Sequence, residues 1–273
     1  MISPKEDIYQ YLRHEKKFPL IWCAGCGNGI VLGSILRAIH QLKLDKNKVA
    51  FVSGIGCSGR ISTYVDFCSL HTTHGRALAF ATGLKLARPE LSVIVAMGDG
   101  DALAIGGNHF IHAARRNIDL TAIVFNNYTY GMTGGQISPT TPIGGICSTA
   151  RKGNIEPEFD VPKLSEAAGA SFVARCSTYH VEYLDKIMAM AIKKKGFSVV
   201  EVLTPCPTIY GRYNKLGSPT DMLIWQKQNC VLIEDAEKMD QEQLKGKVLI
   251  GVFVDKDKPE YCEQYEKLVQ RIK

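Results

Sequence analysis

One stretch limits the folds open to this chain: Leu91 to Asn127, LSVIVAMGDGDALAIGGNHFIHAARRNIDLTAIVFNN. The apolar run Val93 to Met97 reads as a buried strand, and Gly98-Asp99-Gly100-Asp101 follows it. A helical pattern comes next, with Leu103, Phe110, Ile111 and Ala114 at its apolar positions. Arg115 and Arg116 stand near its end, where cations suit the helix dipole. A second apolar run, Leu120 to Phe125, ends in Asn126-Asn127. The unit is strand–turn–helix–strand, with oxygen ligands at the carboxyl ends of both strands. Open α/β sheets bind their ligands at those ends.

The chemistry this suits is a diphosphate plus a hard cation. Gly98 and Gly100 let backbone N–H groups approach a phosphate at a helix start, where the dipole favours anions. Asp99 offers a carboxylate and Asn127 an amide oxygen, a donor set that fits Mg²⁺ shared with phosphates. Gly-Asp-Gly alone is weak. Gly-Asp-Gly, then residues 101–125, then Asn-Asn, with a strand at each end, resembles the thiamine diphosphate-binding motif of thiamine enzymes. That resemblance implies Asp99, Asn127 and the Thr129 carbonyl as Mg²⁺ ligands.

The rest of the chain alternates strands and helices. Residues 1–21 read as an arm with a short helix at Asp7 to Leu12. Trp22-Cys23-Ala24-Gly25-Cys26-Gly27 precedes an amphipathic helix marked by Ile30, Val31, Ile35, Leu36 and Ile39. Lys48 to Ser53 is a strand running into the Gly-rich loop Gly54-Ile55-Gly56-Cys57-Ser58-Gly59-Arg60. His71-Thr72-Thr73-His74-Gly75-Arg76 opens a helix, Ala77 to Ala87, stopped by Pro89. Tyr128 to Ile146 has no regular period and reads as a long functional loop over the cofactor. Val161 to Ala168 (helix), Ser171 to Arg175 (strand), Val181 to Lys195 (helix) and Phe197 to Leu203 (strand) follow, ending at Thr204-Pro205-Cys206-Pro207. The expectation is an α/β fold with a doubly wound, mostly parallel sheet over residues 22–207. Residues 208–273 are expected to form a C-terminal extension packed on a partner, with a strand at Val248 to Val254.

Composition excludes several classes. The net charge of +6 is spread along the chain, with small clusters at Lys193–Lys195 and at Arg13, Glu15, Lys16 and Lys17. A mildly basic chain suits anionic cofactors or an acidic protein partner, and no basic stretch is interleaved with aromatics for nucleic acid. No apolar run reaches the roughly 18 residues of a membrane span, and the polar N-terminal stretch lacks a signal-peptide core. A cytoplasmic location is therefore expected, in which the nine cysteines serve as metal ligands, catalytic groups or core residues rather than disulfides.

Cys23-x-x-Cys26, Cys57 and Cys206 all sit at element ends, where four thiolates suit tetrahedral zinc or a [4Fe–4S] cluster; spacing alone does not choose. Cys68, Cys147, Cys176, Cys230 and Cys262 show no such pattern and read as core or surface thiols. His109 and His112, three apart on the central helix, lack a third ligand and read as structural.

In order, WCAGCG, GIGCSGR, HTTHGR, GDGDALAIGGNH, NN and YGMTGGQISPTTP resemble the β subunit of 2-oxoacid:ferredoxin oxidoreductases, most of all the 2-oxoglutarate type. The resemblance covers roughly residues 20–215. It implies thiamine diphosphate, Mg²⁺ and a [4Fe–4S] cluster on Cys23, Cys26, Cys57 and Cys206, with coenzyme A as co-substrate and ferredoxin as acceptor. The implied reaction is oxidative decarboxylation of 2-oxoglutarate to succinyl-CoA, or the same chemistry on pyruvate, indolepyruvate or branched 2-oxoacids. The implied cofactor-binding set is Ile55, Gly56, Cys57, Ser58, His74, Gly75, Gly98, Asp99, Gly100, Asp101, Asn127, Thr129, Gly131, Met132 and Thr133. Arg60 is expected to meet the distal carboxylate of 2-oxoglutarate, and Met132 to line the substrate pocket. Arg76, like His74, is a candidate for touching the diphosphate. The Glu that activates thiamine belongs, in this family, to an α subunit, and no second thiamine-type domain is visible here. The chain is thus expected to be inactive alone, needing an α subunit and possible small γ or δ subunits. The rival of another class is a non-catalytic metal or electron-transfer protein.

Overall fold

The computed structural model describes residues 8–13, 15 and 19–272. Its frame is an eight-stranded sheet flanked on both faces by helices. In chain order the elements are helix α1 (Asn28–Gln41), strand β1 (Val49–Ser53), β2 (Cys68–His71), α2 (Ala77–Ala87), β3 (Ser92–Gly98), α3 (Gly107–Arg116) and β4 (Thr121–Asn126). Then come α4 (Val161–Ala168), β5 (Phe172–Ser177), α5 (Val181–Lys193), β6 (Ser198–Leu203), α6 (Pro219–Asn229) and β7 (Cys230–Leu232). Two single turns, α7 (Ile233–Ala236) and α8 (Gln241–Leu244), lead to β8 (Val248–Asp255) and α9 (Tyr261–Ile272). The strand order is β2-β1-β3-β4-β6-β5-β8-β7. Every neighbouring pair is parallel except β5 with β8.

The strands read as continuous apolar runs because both faces are covered. Alternate residues serve opposite cores. Phe51, Ile94, Ile123 and Val200 face one side and pack with Val31, Ile35, Leu36 and Ile39 of α1 and Leu184, Ile187 and Met188 of α5. Val52, Val93, Val95, Val124 and Val199 face the other side, against Leu78 of α2, Phe110 of α3 and Val161 of α4. Each such fully buried aliphatic or aromatic side chain contributes about 1.5–3 kcal/mol relative to exposure.

Three local expectations change. The central helix is not continuous: a wide π-type turn, Asp101–Ile105, precedes α3, and the two meet at Gly106. Ile111, expected on the apolar face, is exposed, while Phe110, Ala113 and Ala114 make the buried stripe. β2 was not expected; its four residues are mostly exposed and carry no apolar run. The helix expected at Asp7 to Leu12 lies partly outside the described residues. Ile8 and Tyr9 form a helical turn, and Leu12 then bridges Val65. The Arg13–Lys17 charge cluster also falls partly outside them.

Residues 208–273 contribute β7 and β8 to the sheet edge beyond β5. Because β1, β3, β4 and β6 are parallel neighbours, their carboxyl ends emerge side by side along one edge. Those ends are Ser53, Gly98, Asn126 and Leu203. The sequence after each of them carries the Cys57 loop, the Gly-Asp-Gly turn, Asn127 and Cys206. The fold therefore gathers four segments, distant in sequence, at one place.

Candidate active site

A cavity of about 240 Å³ opens at this edge, lined by Gly98, Asp99, Gly100 and Asp101 from the end of β3 and by the Ile55–Ser58 loop after β1. His74, Asn127, Thr129, Gly131, Met132 and Thr133 complete the expected part of its wall. Among the expected set, Gly75 is the one residue outside the wall; its N–H donates to Asp101 Oδ1 at 2.7 Å. Three wall residues escaped the sequence reading: Asn28, Phe125 and Tyr130.

Asp99 is held in place by a loop that the sequence showed only as irregular. Its side chain is 2 % exposed. Ser138 Oγ donates to Asp99 Oδ2 at 2.6 Å, and Thr140 Oγ1 lies 2.6 Å from the same oxygen. Thr140 Oγ1 is also 2.9 Å from Asn126 Oδ1, and Asn126 Nδ2 donates to Glu201 at 2.7 Å. Arg175 bonds Glu201 at 2.5 Å and Asp160 at 2.9 Å, extending the polar chain from buried Glu201 to half-exposed Asp160. Burial pushes the Asp99 carboxyl up to about 6, and the Ser138 and Thr140 hydroxyls hold it from rising further. Asp99 Oδ1 takes no part in those two bonds, and the Gly100 backbone N–H also favours the ionised carboxylate. Asn127 Oδ1 accepts from Thr129 N–H at 3.2 Å, which fixes the turn carrying the Thr129 carbonyl.

Asp101 anchors the opposite wall. Its Oδ1 is 2.6 Å from His74 Nδ1, and burial raises its carboxyl while Gly75 N–H and His74 oppose the shift. Tyr130 donates to the Gly100 carbonyl at 3.1 Å, and a Cβ on Gly100 would meet the Tyr130 ring at 2.3 Å. Only glycine allows that approach. Arg76 does not line the cavity; its guanidinium donates to the Ile105 carbonyl at 3.1 Å. His109 and His112 lie on α3, also away from the wall.

The cysteines gather beside this cavity. Trp22 Nε1 donates to the Cys57 carbonyl at 2.6 Å, and Gly27 N–H donates to the Pro205 carbonyl at 3.3 Å. A Cβ on Gly27 would meet Pro205 at 2.6 Å, so the Cys23–Cys26 turn and the Cys206 loop touch only because a glycine is there. A Cβ on Gly131 would come within 3.6 Å of Cys206 Sγ and 3.7 Å of Cys57 Sγ. Burial pushes Cys26 up to about 12 and Cys57 to about 11, and raises Cys206; their mutual proximity adds to each shift. Such thiols become thiolates only with a cationic partner. Among the described residues no three His, Cys, Asp or Glu side chains converge on the position of a single metal ion. Of the remaining cysteines, Cys68 is exposed, and Cys147, Cys176, Cys230 and Cys262 are buried.

The two substrate-side candidates part company. Met132 lines the cavity and is 45 % exposed. Arg60 does not line it: the side chain is exposed, although its charge favours the Cys57 thiolate. The residue lies in the short helical turn Ser58–Thr63 that follows Cys57, of which only Ser58 lines the cavity. A second cavity of about 900 Å³ shares Asn127 with the first, and is lined by Cys206, Arg175, Glu201, Trp225 and Lys247.

The thiamine pyrophosphate enzyme C-terminal TPP-binding domain matches residues 54–202. The chain is 54 % identical over 264 residues to the 2-oxoglutarate synthase subunit KorB of Archaeoglobus fulgidus, covering 97 % of this chain and 95 % of that one. It is 50 % identical over 264 residues to the subunit of the same name from Methanocaldococcus jannaschii, covering 97 % of each. Its fold superposes, at a TM-score of 0.86 and 32 % identity, on a 2-oxoglutarate:ferredoxin oxidoreductase from Magnetococcus marinus solved with 2-oxoglutarate, coenzyme A and succinyl-CoA bound. That likeness covers 99 % of this chain and 91 % of the other. Among the described residues, no helix is long and apolar enough to cross a membrane.

Proposed function

The chain belongs to the β subunits of the 2-oxoacid:ferredoxin oxidoreductases, with the KorB subunits of 2-oxoglutarate synthases among its relatives, and from that premise we propose its reaction. Together with an α subunit it converts 2-oxoglutarate and coenzyme A to succinyl-CoA and CO₂, passing two electrons singly to ferredoxin, or runs the same chemistry in reverse. The observation that carries this is one cavity wall. It joins Asp99, Asn127 and Thr129 to Cys57, a diphosphate–metal donor set and a thiol in one enclosure.

Bound thiamine diphosphate supplies a carbanion and an electron sink for decarboxylation. Asp99 Oδ1, Asn127 Oδ1 and the Thr129 carbonyl would hold Mg²⁺, an oxygen-only set of the kind that ion takes. Gly98, Gly100 and Ser58 lie against the space for the diphosphate, with the first backbone N–H groups of the Asp101 turn directed as a helix start. His74, held by Asp101, forms the wall beside them. Met132 contributes flexible apolar surface to the substrate side.

Cys23, Cys26, Cys57 and Cys206 would hold a [4Fe–4S] cluster, which supplies one-electron transfer. A mononuclear zinc ion needs sulfurs drawn to about 2.3 Å from one point, and the described side chains do not converge that tightly. A four-iron cube spreads its thiolates more widely, and the ferredoxin-linked relatives favour it over zinc at the same four thiols. Arg60 is the proposed partner of the distal carboxylate, reached in the assembled enzyme.

The cavity of about 240 Å³ is below the roughly 300–1,000 Å³ that encloses a whole ligand. This supports a half-site completed by an α subunit that carries the activating Glu, with residues 208–273 packing against it. The working compartment is the cytosol. Anaerobic purification of the αβ complex tests the reading. About four irons per β chain, and an EPR signal of a reduced cluster generated by 2-oxoglutarate plus coenzyme A, are expected. Zinc in place of iron, faster turnover of pyruvate, or full activity of the β chain alone overturns the corresponding part.

A further inference from the structure

One wall residue has no partner for any part of its functional group. Asn28 is 1 % exposed, and neither Oδ1 nor Nδ2 finds a hydrogen bond. Burying an unpaired amide is unfavourable, and such groups in folded proteins are usually met by a ligand or an ordered water. The cavity it faces is the one lined by Gly98, Asp99, Asp101 and Asn127.

Simpler roles do not account for it. Asn28 is not the cap of α1: Gly27 holds that position, and no side-chain cap bond forms there. Two neighbouring wall groups are held within the chain, Asp99 by Ser138 and Thr140, and Asn127 Oδ1 by Thr129, while Asp101 leaves only one of its two oxygens unpaired. The Asn28 backbone N–H meanwhile serves Cys26, favouring its thiolate. One residue at the start of a 14-residue helix thus turns its main chain to the cysteines and its side chain to the phosphate turn. A helix start adds a further pull on anions.

We propose that Asn28 is a further binding residue of the thiamine diphosphate pocket, its amide hydrogen-bonding the diphosphate–metal group; this rests on the thiamine-dependent function proposed above. A carboxamide presents both hands of the bond. Nδ2 donates to diphosphate oxygens, and Oδ1 accepts from the water that a magnesium ion retains.

The test is calorimetric titration of thiamine diphosphate, with MgCl₂ present, into the αβ complex stripped of cofactor. Asn28→Leu keeps the shape and removes the amide. Its apo melting temperature should equal or exceed that of the wild type, because a buried unpaired group is gone. Its cofactor Kd should rise at least about tenfold, with iron content unchanged. Asn28→Asp, which sets a carboxylate against the diphosphate, should lose more. If Asn28→Leu does not assemble with the α subunit, Asn28→Ala gives the same reading. An unchanged Kd overturns the assignment. So does a loss of cofactor only alongside a loss of iron, or an effect confined to the Michaelis constants for coenzyme A and the oxoacid. A wild-type complex that binds no thiamine diphosphate would instead sink the functional reading itself.

Discussion

The site has two halves built by opposite means. The half proposed for the diphosphate, Gly98 to Asp101 with Asn127 and Thr129, comes from one contiguous strand–helix–strand unit. The cysteine half is assembled from three distant segments at residues 23–26, 57 and 206. In the first half the key carboxylate is already hydrogen-bonded by Ser138 and Thr140 before any ligand arrives. In the second, the backbones are tied by Trp22 to Cys57 and by Gly27 to Pro205, while burial raises the Cys26, Cys57 and Cys206 thiols. A carboxylate anchored by donors is preorganised for a cation. A cluster of thiols raised by burial waits for one. On the proposed reading the difference teaches that one half is built to position its cofactor, whereas the other would depend on its cluster for its charge state.

The comparison breaks most sharply at Asp99. Asp99→Ala should leave no measurable turnover and no Mg²⁺-dependent thiamine diphosphate binding, yet retain about four irons per chain, read by metal analysis and calorimetry. Cys23→Ser, at a residue that lines neither cavity, should do the reverse: ferredoxin reduction is lost while cofactor Kd shifts by less than about threefold. If both variants lose both properties, the halves are one cooperative unit and the contrast fails.

Preorganisation is sharpened by Thr140→Val. Removing the hydroxyl leaves Asp99 and Asn126 short of a partner, so Mg²⁺ affinity should fall about 10–100-fold. Chemical denaturation should also show about 1–3 kcal/mol less stability. An unchanged Mg²⁺ affinity would mean that the loop merely covers the site.

The protonation contrast predicts a pH effect. Asp99 in the unliganded fold titrates at about 6, above its ordinary 3.8. Binding Mg²⁺ requires the ionised form, so affinity should weaken about tenfold per pH unit below about 6. For the unliganded fold the sign is opposite. Between about 6 and 3.8 the folded chain holds a proton that the unfolded chain has released. The Asp99 contribution to stability therefore rises as pH falls through that window. Melting curves of the wild type and Asp99→Asn across roughly pH 4–7 should converge at the acid end.

Arg60 belongs to neither half within this chain. Arg60→Ala should raise the KM for 2-oxoglutarate by about tenfold and leave pyruvate turnover unaltered, in steady-state assays of the complex. Equal loss on both acids would move Arg60 to a general electrostatic role at Cys57.

Legibility followed the same divide. Strands Ser92–Gly98 and Thr121–Asn126 were readable because parallel strands covered on both faces are unbroken apolar runs. The turn between Gly98 and Asp101 was readable because glycines and acids at a strand end carry their chemistry locally. β2 was not, because its short exposed CSLH has no apolar period and is a strand only through pairing with β1. Ile111 misled because composition alone does not say which side of a helix meets the sheet.

By itself, the sequence determined the alternating strand–helix order, the Gly-Asp-Gly turn at a strand end and the residue types gathered at the cavity. These depend on neighbours a few residues apart, within reach of periodicity and local backbone geometry. Only the tertiary structure decided that Ser138 and Thr140 grip Asp99, that Asn28 faces the same cavity with an unpaired amide, and that β7 and β8 extend the sheet. Those contacts join residues tens of positions apart. Their partners are chosen by strand order and by the closing of a loop, and no local pattern in the chain encodes that choice.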